Sequence, residues 1–200
     1  MLLQIGTTSF YLSRFFCMFF ISHSEQPTPF WPNLLKNLKK DCHREWRNMT
    51  RVQLLEHLQK AWRELEASYA GLAEPEMLAP GVAGAWSIRD IIAHVSTWEE
   101  ESLKHLPAIA RGEKPPRYSV AYGGIDAFNA RMTEQKKGLS LTEVLIQRDA
   151  IHRKLVEYLH EVEKHQFMQE TRFRRRLRWD TWNHYLKHAA AIRKWREQRS

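Results

Sequence analysis

Four stretches of the chain place apolar side chains at three- and four-residue spacing, and no convincing strand pattern interrupts them, so the sequence must bury helical stripes against one another. The first stretch runs from Arg51 to about Ala70 and carries Leu54, Leu55, Leu58, Ala61, Trp62, Leu65 and Tyr69. The second begins at Ile88, continues through Ile91, Ile92, Val95, Trp98, Leu103 and Leu106, and ends near Gly112. The third runs from Leu141 to near Lys164 with Val144, Leu145, Ile151, Leu155, Leu159 and Val162, and the last from about Thr181 to Glu197 with Trp182, Tyr185, Ala189, Ile192 and Trp195. The pairs Thr50/Gln53, Ser87/Asp90 and Ser140/Glu143 have the spacing of capping boxes, in which two side chains satisfy the free amides that open a helix. Gly71 with Pro75, and Gly112 with Pro115 and Pro116, mark helix ends. Four long amphipathic helices make an all-α four-helix bundle the economical fold.

The connections differ in kind. Residues Arg117 to Gly138 contain Gly123, Gly124 and a short helical candidate over Ile125 to Met132. Such a long crossover between the second and third helices permits a non-adjacent or parallel neighbour. Residues Gln166 to Trp179 read as a connection in which Arg172, Arg174, Arg175, Arg176 and Arg178 alternate partly with Phe173, Leu177 and Trp179.

The formal charge of +8 is unevenly spread, residues 1–48 holding six Lys/Arg against three Asp/Glu and the arginine run concentrating much of the remainder. Residues 1–48 also hold both cysteines, Cys17 and Cys42. The rest of the chain therefore has no disulfide, thiolate ligand or thiol nucleophile, which points to an intracellular, cytoplasmic protein. The aromatic opening Met1 to Ser22 is broken by Arg14 and fits neither a signal peptide nor a membrane span well, which points to no firm membrane association, the rival reading being a weak membrane or targeting segment. The segment Ser24 to Asn48 is proline-containing and then basic, so residues 1–48 read as a linker or as an extension from a mis-called start, with Met49 the start of the bundle, residues 49–200.

Histidines carry the chemistry. His184 and His188 lie four apart on the last helix and so project from one face a turn apart, while His94 falls between Ile91 and Trp98 on the inward face of the second. Three neutral imidazoles with an open position suit zinc, nickel, iron or copper and can activate a bound water or thiol. A buried histidine is also often a hydrogen-bonded core residue, and the chain has ten. His57, His105, His152, His160 and His165 lack comparable pairing and read as surface or packing residues. Glu99, Tyr185 and Trp98 lie near the three histidines, but the acid or base is not identifiable. Glu99 to Glu101 read as a solvated helix face, and Trp98 and Trp195 as core.

The string Gly84-Ala85-Trp86-Ser87-Ile88-Arg89-Asp90-Ile91-Ile92-Ala93-His94 followed by Trp98, with His184-Tyr185-Leu186-Lys187-His188 followed by Ile192-Arg193-Lys194-Trp195, resembles the second- and last-helix signatures of DinB-like proteins, in particular the ClbS/DfsB branch. The resemblance spans about Met49 to Glu197. It implies a four-helix bundle in which His94, His184 and His188 bind a divalent metal. It further implies a metal-dependent hydrolase or transferase acting on a small reactive metabolite: relatives include thiol transferases and isomerases, and the ClbS branch opens a cyclopropane in a genotoxic metabolite. The arginine-rich segment and the short loop after the third helix depart from that pattern. A second reading is a metal-free bundle that sequesters a planar or apolar ligand among tryptophans. A third is nucleic-acid association through Arg172 to Arg178, against which stands the absence of any recognised reader motif. Leftover apolar residues would permit a homodimer, which the sequence does not decide. No Gly-rich phosphate loop, Rossmann fingerprint or nucleophile elbow is present.

Overall fold

The apolar stripes become four long helices joined by short ones in the computed structural model, which describes residues 49–168 and 170–199. The expectations for residues 1–48 lie outside the described residues. In chain order the helices are α1 (Arg51–Tyr69), α2 (Glu74–Leu78), α3 (Ile88–Ala110), α4 (Tyr118–Ala121), α5 (Ile125–Lys136), α6 (Leu141–Glu161), α7 (Arg172–Asp180) and α8 (Trp182–Glu197), with a 3-10 turn over Lys164–Phe167. No strand forms among the described residues, where Ala83 and Trp86 make one isolated bridge. No helix among them is long and apolar enough to cross a membrane.

All three capping boxes form, at Thr50/Gln53, Ser87/Asp90 and Ser140/Glu143. In each, a side-chain oxygen accepts from an otherwise orphaned amide and fixes where the helix begins. Helix α3 ends where expected, with Gly112 in the left-handed region at φ +87°. Two boundaries differ from the sequence reading. Helix α5 extends to Lys136 rather than Met132, and α6 stops at Glu161, the chain tightening into the 3-10 turn just beyond.

Side-chain contacts reveal the packing directions. Arg193 and Arg196 near the end of α8 reach Glu64 and the Ser68 carbonyl near the end of α1, while His57 meets Trp182 where α8 begins. Helices α1 and α8 therefore run parallel. Arg89 at the start of α3 donates to the carbonyl of Leu139, just before α6, and Glu99 farther along meets His152. Helices α3 and α6 are thus parallel too, the arrangement that a long crossover through α4 and α5 allows and a tight turn forbids. The two parallel pairs face each other, and Leu54, Leu58, Leu65, Ile88, Ile92, Leu155, Leu159, Tyr185 and Ile192 fill the core between them.

The crossover is anchored by one side chain. Arg89 is 9 % exposed, and its guanidinium donates to the carbonyls of Lys136 (2.7 Å), Lys137 (2.6 Å) and Leu139 (2.9 Å) while pairing with Asp90. These carbonyls close α5 and precede α6, so Arg89 satisfies acceptors that a helix end leaves open. Arg89→Met keeps the stem and removes the donors. It should lower unfolding stability by about 2 kcal/mol, the scale of losing charge-assisted hydrogen bonds to a partly buried loop, measurable by urea denaturation.

Candidate metal centre

Each of the three predicted ligands comes from a long helix, and the structure brings them together. His94 projects from α3, and His184 and His188 from successive turns of α8. One ligand nitrogen from each lies within 4.8 Å of the others. His184 Nε2 is 3.0 Å from His94 Nε2 and 2.9 Å from His188 Nε2.

This cluster cannot be satisfied by its own hydrogen bonds. A neutral ring nitrogen carries either one proton or one lone pair, so His184 Nε2 can make a regular hydrogen bond with one neighbour but not with both. A cation accepts all three lone pairs at once. Nitrogens about 2.1 Å from an ion and set at octahedral or tetrahedral angles lie roughly 3.0–3.4 Å apart, close to the separations seen here. The donor set therefore fits a divalent ion of the zinc, nickel or iron class.

The electrostatics agree with lone pairs rather than charges. Burial pushes His94 down from 6.5 to about 3, with the positive charges of His188, Lys187 and Lys136 adding to the shift. Burial and then Lys187 lower His188 to about 4, and burial, His188 and His94 hold His184 well below its ordinary value. The rings are neutral at physiological pH, ready to ligate without displacing protons.

Aromatic groups flank the cluster. Trp86 packs against the His94 ring at 4.7 Å, and the half-buried Trp98 lies 6.4 Å from His94 and 6.1 Å from His184. Trp98 is fixed in turn: its indole N–H donates to Asn129 at 3.2 Å, Tyr118 stacks on it at 5.5 Å, and Arg176 lies 5.9 Å from its ring centroid. A cleft beside His94 is completed by Thr97 of α3 and by Met132, Thr133 and Lys136 of α5.

Other sequence expectations are corrected. Glu99 and Glu101 are not a solvated face: they are 0 % and 7 % exposed, and of the three glutamates only Glu100 is exposed. Glu99 lies four after Val95 and seven before Leu106, which places it on the buried stripe. There it accepts from His152 Nδ1 at 2.7 Å and from the Tyr185 hydroxyl. Burial raises both the Glu99 carboxyl and, well above its ordinary range, the Tyr185 phenol. Glu101 accepts from Tyr118 at 2.6 Å and pairs with His105 at 3.1 Å. The packing reading of His105 and His152 stands, and His160 and His165 are exposed. The part His152 plays was not anticipated, although Arg148, Leu155 and Leu159 at helical spacing mark its face as inward. Trp195 is core, as expected, at 7 % exposure.

The arginine run is not a solvated connection but helix α7, capped by Thr171. Arg174 is 1 % exposed, Arg176 pairs with Asp180 and donates to the Tyr118 hydroxyl, and Arg178 pairs with Glu170. One side of the run faces inward because Phe173 and Leu177, both fully buried, set its apolar side, while Arg172 and Arg175 are exposed.

The depressed histidines predict how stability responds to acid in metal-free protein. A folded-state value below the unfolded 6.5 means that the unfolded chain binds protons first, so stability is intact above pH 6.5 and is lost as pH falls from there toward 4. His94→Gln should show a shallower loss over that interval, read from urea midpoints at successive pH values.

Comparison with known proteins gives the setting. Comparison with curated protein sequences returns no match. Among solved structures, one titled "Sibling Lethal Factor Precursor - DfsB" is similar with a TM-score of 0.64 at 15 % identity, covering 76 % of this chain and 97 % of its own. An uncharacterised Escherichia coli UTI89 protein follows at 0.63 and 15 %, covering 75 % and 94 %. A third, the colibactin self-resistance protein ClbS in complex with a dsDNA, is similar at 0.61 and 12 %, covering 72 % and 94 %. These likenesses are of fold. The family model of the DinB superfamily matches residues 57–192, a span that includes all three clustered histidines and reaches into all four long helices, and the chain belongs to that superfamily.

Proposed function

We propose that His94, His184 and His188 bind one divalent metal and that the protein is a metal-dependent hydrolase or transferase acting on a small reactive metabolite in a protective role. The observation that carries the reading is the convergence of three neutral ring nitrogens that cannot satisfy one another. Membership of the DinB superfamily supports it, as does the fold shared with a protein titled for self-resistance. Bound there, the ion would supply Lewis acidity, lowering the pKa of a coordinated water or thiol or polarising a substrate atom.

The chain's own residues shape what can happen at that position. Trp86 and Trp98 exclude water from two sides of His94 and offer apolar surface to a substrate. Met132, Thr133 and Lys136 line the cleft on the α5 side. Glu99 and Tyr185 are committed to one another and to His152, so neither is free to move a proton at an open coordination position. The alternative of a metal-free sequestering bundle draws less support: Trp62, Trp182 and Trp195 are 4 %, 0 % and 7 % exposed and pack in the core.

A nucleic-acid reading has one observation in its favour, the dsDNA in the ClbS structure. In this chain Arg176 and Arg178 of the arginine helix pair with Asp180 and Glu170, and Arg172 and Arg175 remain the exposed arginines of the run. Arg172→Ala/Arg175→Ala should therefore change duplex binding little at 150 mM salt, measured by fluorescence anisotropy; a loss of selective binding at that salt would favour the nucleic-acid reading.

Purified protein should carry close to one equivalent of zinc, nickel or iron by elemental analysis, and His184→Ala should carry almost none. Added zinc should raise the melting temperature of stripped wild type and leave that of His184→Ala unchanged. Metal-free wild type that gains no stability from any of the three ions would sink the proposal.

A further inference from the structure

The three ligands come from opposite helix pairs. His94 belongs to the α3/α6 pair, and His184 and His188 to the α1/α8 pair, so the separation of the rings depends on how the pairs are docked. A rotation of α8 by a fraction of a turn would swing both of its imidazoles away from His94.

One buried polar connection spans that junction. Tyr185, next to His184, donates its hydroxyl to Glu99 Oε1, five residues beyond His94 on α3, and His152 of α6 donates Nδ1–H to the same oxygen. Trp62 of α1 closes the group, stacking flat on His152 at 3.7 Å and meeting Tyr185 edge-on at 5.3 Å. All four long helices thus meet around one carboxyl. Glu99 and Tyr185 are each 0 % exposed.

The connection is not what packing alone would select. Glu99 Oε2 and His152 Nε2 are buried with no hydrogen-bond partner among the described residues. Each such orphan is destabilising, and apolar side chains of like volume would remove the cost. A directional bond also narrows the rotation of α8 about its own axis beyond what apolar packing sets. Outer contacts of this kind orient metal ligands, and losing them weakens metal affinity.

We propose that the Tyr185–Glu99 hydrogen bond, braced by His152, is the positioning element that holds His184 and His188 against His94, with Glu99 and Tyr185 acting through the ligands rather than on a substrate. The proposal deepens the metal-binding reading and rests on it for its consequence, but the placement of the rings can be read without metal.

The test uses Tyr185→Phe, which keeps the ring against Trp62 and removes the donor, Glu99→Met, which removes the acceptor at similar volume, and Glu99→Gln, which keeps an acceptor for the hydroxyl. Cobalt affinity is measured by competition with a chromophoric chelator, and the imidazole nitrogens of metal-free protein by long-range 1H–15N NMR. Tyr185→Phe and Glu99→Met should each bind cobalt about tenfold or more weakly and shift the His184 and His188 ring signals, while Glu99→Gln stays within about threefold of wild type. If one of the first two does not fold, the other decides. Lowered melting temperatures with cobalt affinity and ring signals left at wild-type values would overturn the proposal and leave the group a packing feature. If wild type itself takes up no cobalt, the metal reading fails, and the ring signals alone decide whether the bond positions the histidines.

Discussion

Three imidazole rings, His188 buried and His94 and His184 half-buried, crowd into one small volume, and that constraint organises the centre of the bundle. Burial keeps the rings neutral, and Lys136 and Lys187 reinforce the effect at His94. Neutral rings crowded nitrogen to nitrogen leave lone pairs facing one another, an unfavourable arrangement unless something positive lies between them. The docking of the helix pairs and the aromatic walls all bear on keeping that crowding in place.

The scaffold meets the constraint by running α3 parallel to α6 and α1 parallel to α8, then facing the pairs together. Parallel neighbours need a long return, which the chain supplies between Gly112 and Ser140 and secures through Arg89. The histidine cluster is therefore built where two independently braced pairs meet, and its geometry depends on the junction more than on any one helix.

Much of this was legible in the sequence. Periodicity and capping boxes gave the four long helices because local propensity and burial agree there. The spacing of His184 and His188, and the place of His94 on an apolar stripe, gave the histidine cluster. The misreadings share a cause. Glu99 and Glu101 were judged by their charge, although their spacing from Val95 and Leu106 placed Glu99 inside; a buried carboxylate becomes tolerable only through His152 and Tyr185, partners distant in sequence. The arginine run likewise read as a connection because its acid partners, the buried Asp180 and the exposed Glu170, were not recognised. Short helices such as α2 and α4 carry too little periodicity to announce themselves, and α7 was masked by its own charge. Pairing between distant residues is what a one-dimensional pattern conveys least well.

The crossover has a consequence for how such a protein can diversify. Helix α5 buries little of itself beyond Phe128, is entered through Gly123 and Gly124 at φ +81° and +125°, and still supplies one wall of the cleft beside His94. The three histidines sit on long helices whose faces are fixed by the core, whereas this wall sits on a segment whose outward residues answer to little else. Substitutions along α5 can reshape the mouth of the cleft while the imidazoles stay where they are, so the shape of the cleft and the geometry of the histidine cluster are free to drift on separate schedules.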